Sequence, residues 1–339
     1  MRFREFQNKW EETNLGNILK VGNGKDYRHL SEGNIPVFGT GGYMTSVNDY
    51  LYDGESVCIG RKGTINKPFY FNGKFWSVDT LFYTHSYKNV FPKFLFYTFE
   101  QINWLKYNEA SGVPSLSKST IESIEVSMPD LSEQTKIAAF LSLLDDRIST
   151  QSQIIDNLQS LMKGLICSFV KNKTANVKLK DCLNCHSSTL MESTVIEKSG
   201  IYPVYGATGI IAHTSDYAID EDAILIIKDG ASVGKGQYAT DKYSVIGTLN
   251  YLTPKDNVSL KYLYYYLQIF NFDKHKVGSG IPHIYFKDYG NEYIYCPPIK
   301  EQNEIANLLS AIDEKLETEK QILQKYTEQK KYLLANMFI

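Results

Sequence analysis

The sequence predicts an α+β chain in which two similar α/β domains are separated by two long helices. Three observations predict it: an internal repeat that runs through nearly the whole chain, short β-type apolar runs punctuated by turn residues within each copy, and an unbroken heptad seam after each copy.

The repeat begins where Ile35-Pro36-Val37-Phe38-Gly39-Thr40-Gly41-Gly42 finds a counterpart in Tyr202-Pro203-Val204-Tyr205-Gly206-Ala207-Thr208-Gly209. Val57-Cys58-Ile59-Gly60-Arg61-Lys62-Gly63 then answers Ile224-Leu225-Ile226-Ile227-Lys228-Asp229-Gly230, and Trp76-Ser77-Val78 answers Tyr243-Ser244-Val245. Ser111-Gly112-Val113-Pro114 answers Ser279-Gly280-Ile281-Pro282, after which Pro129, Glu133, Gln134 and Ile137 match Pro297, Glu301, Gln302 and Ile305 at a constant offset of 168 residues. Residues 1–130 and 174–298 are thus the expected domains, 131–173 the central spacer helix and 299–339 the C-terminal one.

Within each domain, runs rich in Val, Ile, Tyr and Phe alternate with Gly, Asn and Asp, the pattern of strands and turns. Phe91 to Ile102 and Leu260 to Phe270 read as helices. The aromatic stripe of the second, Tyr262, Tyr264, Tyr265 and Tyr266, is better explained as core than as a base-stacking platform.

The spacers carry the heptads. With Ile137 at position d, the first seam is Ile137, Leu141, Leu144, Ile148, Gln151, Ile155, Leu158, Met162, Leu165 and Phe169. The second is Ile305, Leu309, Ile312, Leu316, Glu319, Leu323, Tyr326, Lys330, Leu333 and Met337, with Gln151 and Glu319 interrupting the two seams at equivalent levels. Two amphipathic helices, each packed on its own domain, are the alternative to a helix pair. Pro129 and Pro297-Pro298 precede the helix starts, as Pro commonly does.

Composition sets limits on function. A chain of 339 residues with 43% hydrophobic and 13% aromatic content can bury more than one core. Lys plus Arg number 36 against 38 for Asp plus Glu, so any nucleic-acid surface must be local. Met1 to Trp10 carries Arg2, Arg4, Glu5 and Lys9 with no apolar run behind it, and no stretch approaches the length of a membrane span. A cytoplasmic protein is expected, and five cysteines without framework spacing suit reduced thiols there.

The order of two domains, each ending in Pro followed by Glu-Gln, then Ile-Ala and a long heptad helix, resembles the specificity subunits of type I restriction-modification systems. The matching residues are Pro129, Glu133-Gln134 and Ile137-Ala138, repeated as Pro297-Pro298, Glu301-Gln302 and Ile305-Ala306. The resemblance implies that the helices pair as an antiparallel coiled coil and that each domain recognises one half of a split, asymmetric double-stranded DNA site. It also implies modification subunits, two of them, bringing S-adenosylmethionine, and restriction subunits bringing ATP, Mg and the nuclease. Ile137 to Phe169 rises about 50 Å at 1.5 Å per residue, enough to hold two readers about one DNA turn apart. A coiled-coil scaffold whose two domains bind proteins and no DNA is the alternative.

Base-reading donors are expected on loops whose glycines allow close backbone approach. The first loop carries Arg61, Lys62, Thr64, Asn66 and Lys67, and its counterpart carries Lys228, Ser232 and Lys235. Arg61 suits a bidentate grip on guanine, and the lysines suit phosphates. A second pair of loops offers Ser115, Ser117 and Lys118, and His283, Tyr285 and Lys287. Solvated hairpin tips and plain structural turns are the competing readings of these loops.

Other motifs are incomplete. Cys182-Leu183-Asn184-Cys185-His186 matches a haem-attachment pattern but lacks an export signal, and for zinc it lacks a second ligand pair; Cys182 also aligns with Ile18, an apolar position. Gly230 to Gly236 is one residue short of a phosphate loop, with Gly236 where Ser or Thr would bind magnesium. Pro297-Pro298 follows Cys296 where an amino-methyltransferase needs Asn or Asp. No catalytic residue, metal or cofactor is therefore expected in this chain.

Overall fold

The computed structural model, which describes residues 2–338, forms two compact units, Met1–Gln151 with Ile322–Ile339, and Ser152–Gln321. No helix among the described residues is long and apolar enough to cross a membrane.

In the first unit six strands make one sheet, ordered Lys20–Asn23, Leu81–His85, Tyr52–Gly60, Phe69–Ser77, Glu32–Gly39 and Gly42–Val47. Neighbours run antiparallel except Glu32–Gly39 beside Phe69–Ser77, where Val37 faces Trp76 and Phe38 faces Ser77 in parallel. Side chains alternate between the faces. Val57 and Ile59 join Phe94, Leu95, Tyr97 and Phe99 of the helix Pro92–Gln101 in the main core, whereas Cys58 lies with Phe38, Phe75 and Leu81 in a smaller cluster.

The second unit repeats this order as two four-stranded sheets. One is Leu183–Ser187, Leu249–Pro254, Ala223–Ile227 and Gly236–Ala239; the other is Gly209–Thr214, Tyr202–Gly206, Lys242–Val245 and Ile219–Asp220. Two breaks make the division: the counterpart of Tyr52–Gly60 is interrupted at Glu221-Asp222 and that of Phe69–Ser77 at Thr240-Asp241. Strand Phe69–Ser77 runs unbroken through Gly73 at φ +128°, where a side chain would be strained. By ladder register, in which Ser244 pairs with Val204 as Trp76 pairs with Val37, the counterpart of Gly73 is Asp241 in a left-handed turn at φ +62°, and there the strand stops and restarts.

The Glu-Gln pair repeated in the sequence marks where each long helix is fastened. In Leu131–Val170, buried Gln134 accepts a hydrogen bond from the Phe91 N–H at 2.8 Å through Oε1 and donates from Nε2 to the Pro129 and Asn89 carbonyls at 2.8 and 3.1 Å. In Ile299–Met337, Gln302 accepts from the Ser259 N–H at 2.8 Å and donates to the Pro297 carbonyl at 2.7 Å. Phe91 and Ser259 cap the aromatic helices Pro92–Gln101 and Leu260–Leu267, so one amide satisfies a helix-start donor and ties two helices together. Ile137-Ala138 and Ile305-Ala306 are buried directly after it.

Around these anchors the long helices pair within each unit. In the first, Lys330 reaches Asp145 while Arg147 lies over the Tyr326 ring; the number rises along one helix as it falls along the other, so they are antiparallel. Leu333, Leu334 and Met337 share a core with Ile137, Leu141 and Leu144. In the second unit Ile166 and Phe169 gather with Ile305 and Leu309. Every seam position is buried or half-buried: Ile155, Leu316, Gln151 and Glu319 are buried, and Ile148, Leu158, Ile312 and Leu323 are half-buried. The tyrosine stripe of Leu260–Leu267 is also core, with Tyr262 and Tyr265 buried.

Candidate nucleic-acid interface

The two loops singled out in each half of the sequence meet in space, through the same backbone bonds in both units. Leu116 N–H donates to the Arg61 carbonyl at 2.9 Å, as Ile284 N–H does to Lys228 at 3.0 Å. Gly63 N–H donates to Pro114 at 2.8 Å, as Gly230 N–H does to Pro282 at 3.0 Å, and both glycines have positive φ. Arg61 N–H and Lys228 N–H donate to the carbonyls of Thr80 and Thr248 at 2.8 and 3.0 Å. These three backbone bonds recur in both units.

In the first unit the junction walls an open cleft of about 550 Å³ holding Arg61, Lys62, Ser115, Ser117 and Lys118. Thr64, Asn66 and Lys67 are not among its lining residues; Asn66 and Lys67 are exposed beyond the turn at Gly63. The exposed Arg61 guanidinium lies 5.8 Å from the Phe82 ring centroid, with Nη1 3.4 Å from the Asp79 carbonyl. Lys62 and Lys118 are exposed, Lys118 at 3.6 Å from Glu122. Ser117 uses its hydroxyl to cap the helix Lys118–Ser123, accepting from Thr120 N–H at 3.1 Å, a role that turn composition alone did not reveal.

Sequence reasoning missed Asn23, Asp79, Thr80 and Glu109 in this cleft. The matched pair Thr80 and Thr248 was a visible signal for one wall. Glu109 had none: it accepts from the Thr120 hydroxyl and Ser117, which hold its carboxyl below the usual range and fix the loop from within.

The second unit presents different chemistry on the same frame. Asp229 stands opposite His283, as Lys62 stands opposite Ser115. Lys228 is half-buried, Tyr285 is exposed with the Lys287 ammonium 5.2 Å from its ring centroid, and Phe286 occupies the position of Lys118. Lys235 lies apart from His283, on the wall of a hollow of about 390 Å³ with Gly234 and Phe272. The N–H groups of Gly230, Val233, Gly234 and Lys235 all donate to protein carbonyls, the last to Ser232, so this glycine loop is closed on itself. A Cβ at Gly234 would come within 2.7 Å of Phe272.

Two side chains of the Cys-x-x-Cys-His segment, Cys182 and His186, have structural partners. Cys182 is buried with its thiol against that of Cys296, and its carbonyl accepts from Lys255 N–H as the Ile18 carbonyl accepts from Lys88 N–H. His186 stacks on Tyr251 at 4.7 Å with Nε2 3.0 Å from the Thr253 hydroxyl.

The family model for the type I restriction modification DNA specificity domain matches residues 7–160 and again residues 171–328. The chain belongs to that family. Specificity subunits are the non-catalytic members of their systems, and the chain is similar to them over most of its length. A putative type I specificity subunit of Mycoplasma pneumoniae is 24% identical over 311 residues, covering 85% of this chain and 84% of the relative. A type I restriction enzyme specificity subunit of Methanocaldococcus jannaschii is 23% identical over 338 residues, covering 84% and 76%. The fold is that of the crystal structure of a type I restriction-modification S subunit from M. genitalium, with a TM-score of 0.74 at 18% identity over 100% of this chain and 99% of the other. In this specificity subunit, then, the glutamine of the repeated Glu-Gln, Gln134 and Gln302, fastens each long helix to its domain.

Proposed function

We propose that this specificity subunit reads a bipartite, asymmetric double-stranded DNA site, one half with each unit, and docks two modification subunits and restriction subunits on its helices. The partners would carry S-adenosylmethionine, ATP and Mg, and the assembly would work in the cytoplasm. The observation that carries this reading is the pair of loop junctions built from the same backbone bonds yet presenting Arg61, Lys62 and Ser115 in one unit and Lys228, Asp229 and His283 in the other. One scaffold with two side-chain sets suits two unlike half-sites, because backbone contacts position a protein on DNA and side chains on base edges specify sequence. Leu143, Leu161 and Leu308, exposed at 62%, 50% and 48% on the long helices, support a docking role for those faces. Selection from a random DNA library with the chain and its modification subunits tests the reading. Two separated blocks of fixed sequence are expected, and enrichment of no sequence overturns it.

Within that assay, Arg61→Ala is expected to relax preference at one base position of one half-site about ten- to hundredfold, the range for loss of a bidentate guanine contact. Lys62→Ala should instead weaken all sequences alike and lower the salt slope by about one unit. An Arg61→Ala profile identical to wild type at every position removes this loop from the readers.

A further inference from the structure

Resting on the DNA-reading function proposed above, we propose that His283 is a specificity-determining residue of the second unit, its Nε2 accepting a hydrogen bond from the exocyclic amino group of adenine or cytosine, and that Asp229 is its positioning residue. Nδ1 of His283 lies 2.6 Å from Asp229 Oδ1. A carboxylate can only accept, so the proton at this contact sits on Nδ1, and in the neutral ring Nε2 is left with its lone pair.

The ring's mounting is rigid. His283 N–H donates to the Val277 carbonyl at 2.8 Å, and its carbonyl accepts from Val277 N–H at 2.9 Å. Gly278, at φ +93°, lies beside the ring at Cδ2; a Cβ there would lie 3.3 Å from Cδ2 and 2.7 Å from the Ile281 carbonyl oxygen. Backbone, carboxylate and glycine together hold the imidazole in one orientation. The side chain remains 38% exposed, and no hydrogen bond joins Nε2 to the protein among the described residues.

Two features select a base over a phosphate. The Asp229 carboxylate directly behind the ring repels an approaching phosphate, whereas a neutral amino group meets only the lone pair. In the major groove, adenine N6 and cytosine N4 are the donors, and guanine and thymine present acceptors at the corresponding edge. An acceptor at this position in the second unit therefore complements Arg61, a donor, on the equivalent frame of the first.

The test is library selection at about pH 8.5, above the ordinary imidazole range, using the full chain in complex with its modification subunits. Wild type, His283→Ala and Asp229→Ala are compared, with circular dichroism melts to establish folding. His283→Ala is expected to lose preference for adenine or cytosine at one position of one half-site, about three- to tenfold for a single hydrogen bond, with the other half-site unchanged. Asp229→Ala, which keeps the ring, should weaken preference at that same position, an outcome that loss of general packing would not confine to one base; it decides the matter if His283→Ala does not fold. An unaltered profile, or loss at a position that selects guanine or thymine, overturns the assignment while leaving DNA reading intact. A wild-type complex that enriches no sequence overturns the proposed function itself and this inference with it.

Discussion

Replacing Gln134 with alanine is expected to cost the first unit about 2–5 kcal/mol, a large part of the stability of an ordinary domain. The substitution strips the Phe91 N–H and the Pro129 carbonyl of their partner at the point where the long helix enters the core. Groups left unsatisfied in a buried setting cost about 1–3 kcal/mol each, and the side-chain freedom regained by losing an ordered glutamine returns only about 1–2 kcal/mol. Gln302→Ala should act in the same way on the second unit, where Ser259 N–H and the Pro297 carbonyl lose their partner. Gln134→Glu separates hydrogen bonding from space filling: it keeps an acceptor for Phe91 but turns a second acceptor toward the Pro129 carbonyl, so at neutral pH it should recover only part of the loss. Urea unfolding followed by circular dichroism reads the effect directly. A loss below about 1 kcal/mol for Gln134→Ala would show that the helix is held by apolar packing alone.

Much of this architecture was legible in the sequence because its causes are local or periodic. The seams from Ile137 and from Ile305 follow helical spacing, and every member is buried or half-buried. The offset of 168 residues that relates Gln134 to Gln302 also relates Tyr97 to Tyr265 and Thr80 to Thr248, and the matched backbone bonds of the loop junctions follow it to within one residue. What could not be read arises from single positions whose meaning is tertiary. Gly73 and Asp241 differ by one side chain, yet one continues a strand and the other ends it. The glutamine of Glu-Gln was visible as a repeated letter, but its job depends on Phe91 and Ser259, each 43 residues earlier in the chain. In the candidate cleft, the sequence offered the loop of Arg61 and that of Ser115 and Lys118 separately, without showing that they meet, and gave no hint of Glu109, whose contacts are with Ser117 and Thr120 across the loop. Loop composition likewise left Thr64, Asn66 and Lys67 indistinguishable from the residues that line it.

Lys330→Met is expected to destabilise the first unit by about 2–4 kcal/mol at neutral pH, even though methionine would restore an apolar residue to the heptad seam. Lys330 Nζ lies 2.7 Å from Asp145 Oδ1 and 3.0 Å from Glu100 Oε2, and the Tyr97 hydroxyl donates to Asp145 Oδ2 at 2.7 Å. The cluster is largely shielded, with side-chain exposures of 15% for Lys330, 26% for Glu100 and 27% for Asp145. Removing one partner of a fully buried pair typically costs about 3–5 kcal/mol, and the remaining exposure here discounts it. The second unit shows that the seam alone does not demand the lysine, since its counterpart at the same offset is the buried Met162. The sign with pH follows from Glu100. Burial pushes its carboxyl above the usual range, with Lys330 pulling the other way, so the folded state binds the proton more tightly than the unfolded chain does. Stability from this group is present below the unfolded value and is lost as pH rises through the raised folded one. Without Lys330 the folded value rises further, and the deficit of Lys330→Met should be full near pH 7 and shrink as Glu100 takes up its proton on acidification. Urea titrations of wild type and variant between about pH 7 and pH 4.5 measure this difference. A deficit that stays constant or grows toward acid would assign the loss to packing of the lysine stem against Phe96 and Tyr97, whose ring centroids lie 5.7 and 5.4 Å from Nζ, and not to its charge.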